Sequence, residues 1–410
     1  MPNRIWFASK RAGIAPLGSR SAITLRGLQS IGITTTFNLE QVFELGQATI
    51  YENIEGIPDV SVDIEKVLDG YTPAYLLATQ LAGSPTLIGR ACTRSTLAVS
   101  VYSESCDGTS DGATGMPNAE VHMSGLYVGS ISYAATVDGN ATESLTLVGN
   151  DKVWVGLVTN ASSAPRGHTS MNYVDDPFKD NDDIPIAMGG SGGVQRREDV
   201  LFVYPGNKGH RNAPKPVNNL DVNGAVSGDG TILPIELPGI SASGTNDKSS
   251  TTNQFGAHIQ NITISTDLGR EDIFELGRKG NYYKYANFPV EVTTEIGMIS
   301  VSGDLISAAE EGITTGTGAC PAGNNLTNST IRLHMCEGLQ VNCGTKNKLA
   351  SVGVTGGDTG GGNEEITYTY SNFNVMTVYH PNDPNRGLMI DAEGWDTLFD
   401  PKGGAAGARV

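Results

Sequence analysis

The stretch from Gln29 to Pro58 recurs without a gap as Gln260 to Pro289, at a fixed offset of 231 positions and with eleven of thirty residues identical. No other feature constrains the fold as strongly. The identities fall first on alternating residues, Ile31, Ile33 and Thr35 against Ile262, Ile264 and Thr266. They then cluster, with Glu40, Phe43, Glu44, Leu45 and Gly46 against Glu271, Phe274, Glu275, Leu276 and Gly277. Period-two alternation marks a half-buried strand. An acidic and apolar turn closing on Gly, with a second alternating run after Pro58 and Pro289, describes two long strands and one protruding connection. The expectation is one chain with two copies of one unit.

A length of 410 residues suits two domains better than one core. The chain carries 52 Gly and only 17% charged residues. Its short Val/Ile/Thr/Tyr runs are separated by Gly, Asn and Asp, which favours a mainly β fold with long loops. The formal charge of -17 argues against a protein that grips nucleic acid, since phosphate affinity comes from Lys and Arg. The same acidity would let a polyanion slide along a wall without sticking. No apolar run approaches the roughly 20 residues that span a bilayer. Met1 to Arg11 lacks the apolar stretch of a signal peptide, so a cytoplasmic product without membrane contact is expected.

The organisation reads as five segments. Residues 1–20, basic and carrying Trp6 and Phe7, form an extended N-terminal arm that docks on a neighbour. Residues 21–160 hold the first unit, with strands expected at Ala22 to Phe37, Ile57 to Val67, Leu97 to Tyr102, Ala119 to Ala135 and Ser144 to Val158. Tyr71 to Ala82 is its helix candidate, with Thr72 as cap, Pro73 in the first turn and Gly83 as stop. Residues 161–250 are a crossover whose one strong strand, Asp199 to Tyr204, belongs with the second unit. Residues 251–380 are that second unit, with a helix candidate at Ser302 to Gly312, and 381–410 are a Gly/Asp-rich tail.

Chemical motifs are weak. Gly189 to Gly193 fits the Gly-x-Ser-x-Gly pattern of a hydrolase elbow but lacks a following helix and reads as a linker. Asp175 to Asp183 is acidic enough to attract calcium, yet lacks the Gly and closing Glu of a helical calcium loop. His334, Cys336 and Cys343 do not have zinc-site spacing. The six histidines are scattered and no carboxylate pair stands out. Neither an enzyme, a cofactor nor a metal is expected. Five cysteines form no secreted framework, although Cys92 and Cys106 could approach across neighbouring strands and pair after release to oxidising conditions.

The pattern Ile-x-Ile-(Ser/Thr)-Thr, then Glu-x-x-Phe-Glu-Leu-Gly, then Tyr, then Pro and an alternating Val-rich acidic run resembles the major tail tube proteins of long-tailed bacteriophages. The likeness spans roughly 45 residues in each repeat and is strongest from Asp267 to Val292. It implies two tandem tail-tube-type β-sandwich or half-barrel domains, each with a short flanking helix, plus arms and loops. Six such domains surround a lumen as a 24-stranded barrel, so a duplicated chain implies a trimeric, pseudo-hexameric ring. Ile31, Ile33, Thr35, Asp63, Glu65, Ile262, Ile264, Thr266, Glu291 and Glu295 would then lie on lumen strands. Glu40, Glu44, Glu271 and Glu275 would touch the next ring, with Phe43, Leu45, Phe274 and Leu276 anchoring those loops by burial and Gly46 and Gly277 turning them.

The implied function is a structural virion protein of the phage tail, assembled in the host cytoplasm, whose stacked rings conduct viral DNA into the host without binding it specifically. Implied partners are further copies of itself and the sheath, tape measure, baseplate and terminator proteins. A tail terminator or baseplate hub component of the same fold is the nearest alternative. A β-sandwich carbohydrate-binding or adhesin module is the alternative of another class, set against an aromatic content of only 7%.

Overall fold

The structure is a computed structural model that describes residues 7–46, 48–102, 117, 119–156, 172–174, 193–202, 258–278, 280–299, 331–335, 339–344, 346–356, 364–380 and 383–385. The fold is mainly β, as the composition requires. The first half runs β1 (Lys10–Pro16), β2 (Ser21–Thr24), β3 (Leu28–Thr36), β4 (Leu39–Phe43), β5 (Ile50–Glu55), β6 (Asp59–Val67), α1 (Ala74–Ala78), α2 (Leu87–Ala91), β7 (Ser95–Val101), β8 (Ala119–Thr136), β9 (Thr142–Gly149) and β10 (Val153–Gly156). Two short strands follow, β11 (Asn172–Val174) and β12 (Val200–Phe202). The second half runs β13 (His258–Asp267), β14 (Arg270–Ile273), β15 (Tyr283–Ala286), β16 (Glu291–Ile299), β17 (Arg332–Met335), β18 (Gln340–Asn342), β19 (Lys348–Thr355), β20 (Glu365–Phe373) and β21 (Thr377–Tyr379).

Strand order shows one plan twice. A front sheet runs β3-β6-β9-β8 in the first half and continues, across an antiparallel β8–β13 joint, as β13-β16-β20-β19 in the second. The back layer orders β1-β7-β8-β10 in the first half and β12-β17-β18-β21 in the second. The 18-residue β8 serves both layers. Its first part pairs with β7 and β10 and its last part with β9 and β13, with Gly125 at φ +70 between them. The irregularities repeat as well. A bulge separates Leu28 from Ser30 opposite β6 and Ile259 from Asn261 opposite β16, while another separates Val128 from Ser130 and Leu349 from Ser351. Bulges shift register and sharpen twist, so matched bulges give both halves the same curvature.

A single apolar cluster runs through both halves, including Val62, Ile64, Leu145, Leu147, Tyr133, Ile262, Ile264, Ile296, Tyr368 and Tyr370. Each fully covered aliphatic side chain contributes about 1.5–3 kcal/mol relative to exposure. The second half substitutes Tyr368 and Tyr370 where the first has Leu145 and Leu147, as the pairing with β16 and β6 shows.

The structure departs from the sequence reading in several places. Much of the expected N-terminal arm is a strand: β1 pairs with β7 along its whole length, and Ala12, Ile14 and Ala15 are buried. β1 takes the place against β7 that β12 takes against β17 in the second half, with β2 on its other side. The expected strand from Ala22 to Phe37 is two strands, because Gly27 turns at φ +71. Ser144 to Val158 is likewise split between β9 and β10. Within the repeat, the gapless register holds to Glu55 and Ala286. It then slips by one residue after the prolines, since Ile31 faces Ile64 whereas Ile262 faces Ile296.

The helix expected over Tyr71 to Ala82 shrinks to α1, and no side chain of its own turn caps it. Instead Glu143 reaches from β9, its carboxylate accepting from the backbone N–H of Ala74 at 2.6 Å and of Tyr75 at 3.0 Å. A remote carboxylate satisfies the orphan donors and the positive helix end together. The second helix, α2, has its own cap, with Thr86 Oγ1 accepting from the Gly89 N–H at 3.2 Å. The expected helix at Ser302 to Gly312, the loops at Asp175 to Asp183 and Gly189 to Ser191, and the tail beyond 385 lie outside the described residues.

Candidate functional site

Along the front sheet, alternation sends one set of side chains into the core and the other to water. The outer set on successive strands is Ser30 and Thr34 on β3, Ser61, Asp63 and Glu65 on β6, and Ser144 and Thr146 on β9. Ser130 and Ser132 follow on β8, then Thr263, Ser265 and Asp267 on β13, Glu291, Thr293 and Glu295 on β16, Thr367, Thr369 and Ser371 on β20, and Ser351 and Thr355 on β19. Eight strands, counted among the described residues, thus present one continuous face of hydroxyls and carboxylates. Hydroxyls tie down some of the acids: Thr146 Oγ1 donates to Asp63 at 2.9 Å and Ser30 Oγ to Glu65 at 3.2 Å. A shallow groove of about 390 Å³ crosses the β8–β13 joint on this face, lined by Ser130, Ser132, Ser144, Thr146 and Ser265.

The ten residues expected on lumen strands divide between the two sides of the sheet. Asp63, Glu65, Glu291 and Glu295 lie on the open face. Ile31, Ile33 and Thr35 are half-buried and Ile262, Ile264 and Thr266 are buried, all pointing to the core side. A period of two leaves no choice: once the isoleucines take the core, their neighbours Ser30, Thr34, Thr263 and Ser265 take the water.

Two hairpins rise from one end of the sheet. β4 pairs with β5 and β14 with β15, and their tips turn at Gly46 (φ +93) and Gly277 (φ +85), a region that disfavours any side chain. Glu40, Glu44, Glu271 and Glu275 are exposed on them. The expectation that Phe43, Leu45, Phe274 and Leu276 anchor the loops by burial fails within the chain, since all four are exposed. Leu45 and Leu276 at the tips are fully exposed among the described residues.

At their bases the hairpins differ. The second leans on the first half of the chain. Arg270 donates through Nε to the Val128 carbonyl at 2.9 Å and through Nη2 to the Ala91 carbonyl, and stacks 4.8 Å over the Tyr127 ring. Tyr283 meets Tyr127 edge-on at 5.6 Å. Lys284 lies 2.8 Å from Asp272 and 3.5 Å from Asp59, and Asn281 donates to Asn150 at 3.0 Å. Burial lowers the Arg270 pKa and, with Cys92 beside it, raises that of Tyr283 to about 12. Farther back, Arg90 and Asp383 form a fully buried pair at 2.9 Å, and Asn385 donates to the carbonyls of Gln80 and Ala82. Among the described residues, no such seat is seen under the first hairpin. Phe37 is 68% exposed where its counterpart Leu268 is fully buried.

No family model and no curated protein match the chain. Solved structures do. Over 38% of this chain and 99% of its own, a chain from the six-fold symmetrised baseplate of the anti-feeding prophage aligns at 11% identity with a TM-score of 0.28. The tube-terminating cap of the same particle aligns over 38% and 93% at 13% identity and 0.27. A chain from the sheath–tube complex of an extracellular contractile injection system aligns over 38% and 95% at 9% identity and 0.27. These neighbours are parts of phage-tail-like injection assemblies. At such TM-scores the likeness carries no functional weight.

Among the described residues, no group of three or more His, Cys, Asp or Glu is placed to hold a metal. No helix among them is long and apolar enough to cross a membrane. Cys343 is buried and its thiol is pushed up to about 12, while Cys92 is an exposed free thiol and Cys106 lies outside the described residues. The seam residues Arg270, Lys284, Tyr127 and Asp383 escaped the sequence reading. The one available signal was that Arg270 and Lys284 align with the uncharged Leu39 and Asn53.

Proposed function

We propose that the chain is a major tail tube subunit, a structural protein that polymerises as stacked rings around a channel for viral DNA. The observation that carries this reading is the eight-stranded front sheet, polar and acidic on one face, with β3 and β19 at its ends each paired on one side only among the described residues. A closed barrel removes such edges, which otherwise invite uncontrolled pairing. Three chains of eight strands supply twenty-four, and closure by rotation demands that β3 of one chain meet β19 of the next. The wall is then hydrated by hydroxyls and negatively charged by Asp63, Glu65, Asp267, Glu291 and Glu295, so that DNA passes without adhering. The hairpin tips, with Phe43, Leu45, Phe274 and Leu276 held out to solvent, suit contact with an adjoining ring. Sheath, tape measure, baseplate and terminator proteins are the partners such a tube requires.

Electron microscopy of the purified protein tests this directly. Hollow tubes of rings with three-fold symmetry and six lobes are the expected result. Solitary rings would favour a terminator or hub, and dispersed monomers at high concentration would return the binding-module reading. A second test replaces Asp63, Glu65, Glu291 and Glu295 with Lys in assembled particles. Slowed or stalled genome ejection is expected, and normal ejection would remove the electrostatic part of the mechanism.

A further inference from the structure

The seam inside the chain is a template for the seam between chains, and the residues that differ between the two do so in matched pairs. This rests on the ring reading above. Register fixes the correspondence. β13 replaces β3 at the repeat offset, so Asn281, Tyr283 and Leu268 stand where Ile50, Glu52 and Phe37 stand. On the receiving side, Tyr127 faces Val148 and Lys348 faces Ser371 at equivalent places in the two halves, with Val128 and Leu349 next to them before matching bulges. Asn150 follows Gly149 as Phe373 follows Asn372, and Gly149 and Asn372 face the equivalent Val60 and Val292.

From these pairs we infer that hairpin β4–β5 of one chain seats on the β19–β20 end of a second copy of this chain, with β3 pairing to β19 in the β13–β8 register. The contacts translate one by one. The hydrogen bond between Asn281 and Asn150 inside the chain becomes an apolar contact between Ile50 and Phe373, which are 42% and 56% exposed in the single chain. The ring pair of Tyr283 and Tyr127 becomes an acid and a base, Glu52 and Lys348, both exposed. Polar has changed with polar and apolar with apolar on the two sides of a contact that no single chain makes.

The strands follow the same rule. Ile264 opposite Tyr133, Ser265 opposite Ser132 and Thr266 opposite Ile131 predict Ile33 opposite Val354, Thr34 opposite Gly353 and Thr35 opposite Val352. The Leu268 N–H donates to the Gly129 carbonyl, so the Phe37 N–H should donate to the Ala350 carbonyl of the second copy. Val354 is 46% exposed where Tyr133 is fully buried, as expected of a residue awaiting its partner strand.

Cysteine cross-linking reads the register. Thr34 and Gly353 sit on strands at opposite ends of the eight-stranded sheet, roughly 30 Å apart along it, so a disulfide between them must join two chains. The full-length variant Thr34→Cys with Gly353→Cys should give covalent trimers on a non-reducing gel. Thr34→Cys with Thr355→Cys, two residues out of register, should not, nor should the parent chain with its native Cys92. Rings in the microscope together with linkage at 355, or at neither position, would overturn the joint and leave the ring standing. No rings from the parent chain would overturn both.

Charge reversal gives an independent reading. Glu52→Lys and Lys348→Glu should each lower tube yield about tenfold, and the double variant should recover most of it. Equal loss in the double variant, in a protein that still folds, would overturn the pairing.

Discussion

Hairpin β14–β15 and hairpin β4–β5 share strand register and a left-handed glycine at the tip, but not their surroundings. Arg270 is held by the Val128, Ala91 and Lys284 carbonyls and the Tyr127 ring, while its counterpart Leu39 is 58% exposed. Lys284 is buried between two aspartates, while its counterpart Asn53 is exposed. The backbone pattern is shared and the surfaces differ. One hairpin is built to remain on its own chain, its charges partly desolvated but paired and hydrogen-bonded, and the other keeps an uncharged or acidic surface in water. On the proposed ring, one fold would supply both a permanent joint within the chain and a conditional one between chains.

The largest test of that contrast cuts the permanent joint. Asp383 follows β21 in the second half and pairs with Arg90 at the end of α2 in the first, both without exposed side-chain surface. Arg90 also donates to Thr79 Oγ1 at 2.8 Å and lies against the Tyr75 ring, so the guanidinium has nowhere to go if its acid is removed. Asp383→Ala should destabilise the chain by about 3–5 kcal/mol, the cost of an uncompensated buried charge. Denaturant unfolding at neutral pH measures it. A loss below about 1 kcal/mol would mean that the two halves are held by the sheet alone.

The next test compares the hairpins directly. Arg270→Ala removes charge-assisted hydrogen bonds to carbonyls and should cost the isolated chain about 1.5–3 kcal/mol. Leu39→Ala at the equivalent place should change the isolated chain by less than about 0.5 kcal/mol, because its side chain is already in water. Assembly should respond in the opposite order, with Leu39→Ala losing tubes while the chain stays folded. Unfolding below the assembly concentration, beside sedimentation above it, separates the two effects. Equal destabilisation by both variants would erase the distinction drawn between the joints.

Much of this was legible in the sequence, and the reasons for what was not are specific. The repeat exposed β3, β13 and both hairpins because strand alternation and a turn glycine are local signals. The β12 strand was legible from its run of Val200, Leu201 and Phe202. Its counterpart β1 was not, since Ala12, Gly13 and Ala15 are small residues that leave Ile14 as the one large apolar side chain in the run, and their burial depends on the pairing with β2 and β7. Which alternate set faces water was not legible, because Ile and Thr alternate with Thr, Ser and Gly and only the packing of β6 and β16 decides the matter. The one-residue slip after Pro58 and Pro289 was hidden for a related reason: the prolines align, and only cross-strand partners reveal that Val290 is extra. The seam lay wholly beyond local pattern, since Arg90 and Asp383 are 293 positions apart.

The halves also differ in a buried charge, and pH should find it. Glu143 on β9 caps α1 and accepts from Tyr133 at 2.9 Å, whereas Ile366 occupies the corresponding place on β20. Burial raises the Glu143 pKa above its ordinary 4.5, against the opposing pull of Lys66, the backbone donors and the Tyr133 hydroxyl. Lys66 is itself engaged by Asp69 at 2.7 Å, so its charge is shared. A folded pKa raised above the unfolded one means that the folded chain binds more protons between the two values. Glu143 therefore contributes its full stability below pH 4.5, and that contribution falls as pH rises through the folded value. The effect is a slope rather than a loss at one pH, and it belongs to the first half alone. Glu143→Gln keeps a carbonyl to accept from the helix but cannot titrate, so unfolding free energy measured across pH 4 to 8 should lose that downward component. An unchanged slope in the variant would place the titration elsewhere and make Glu143 a helix cap and no more.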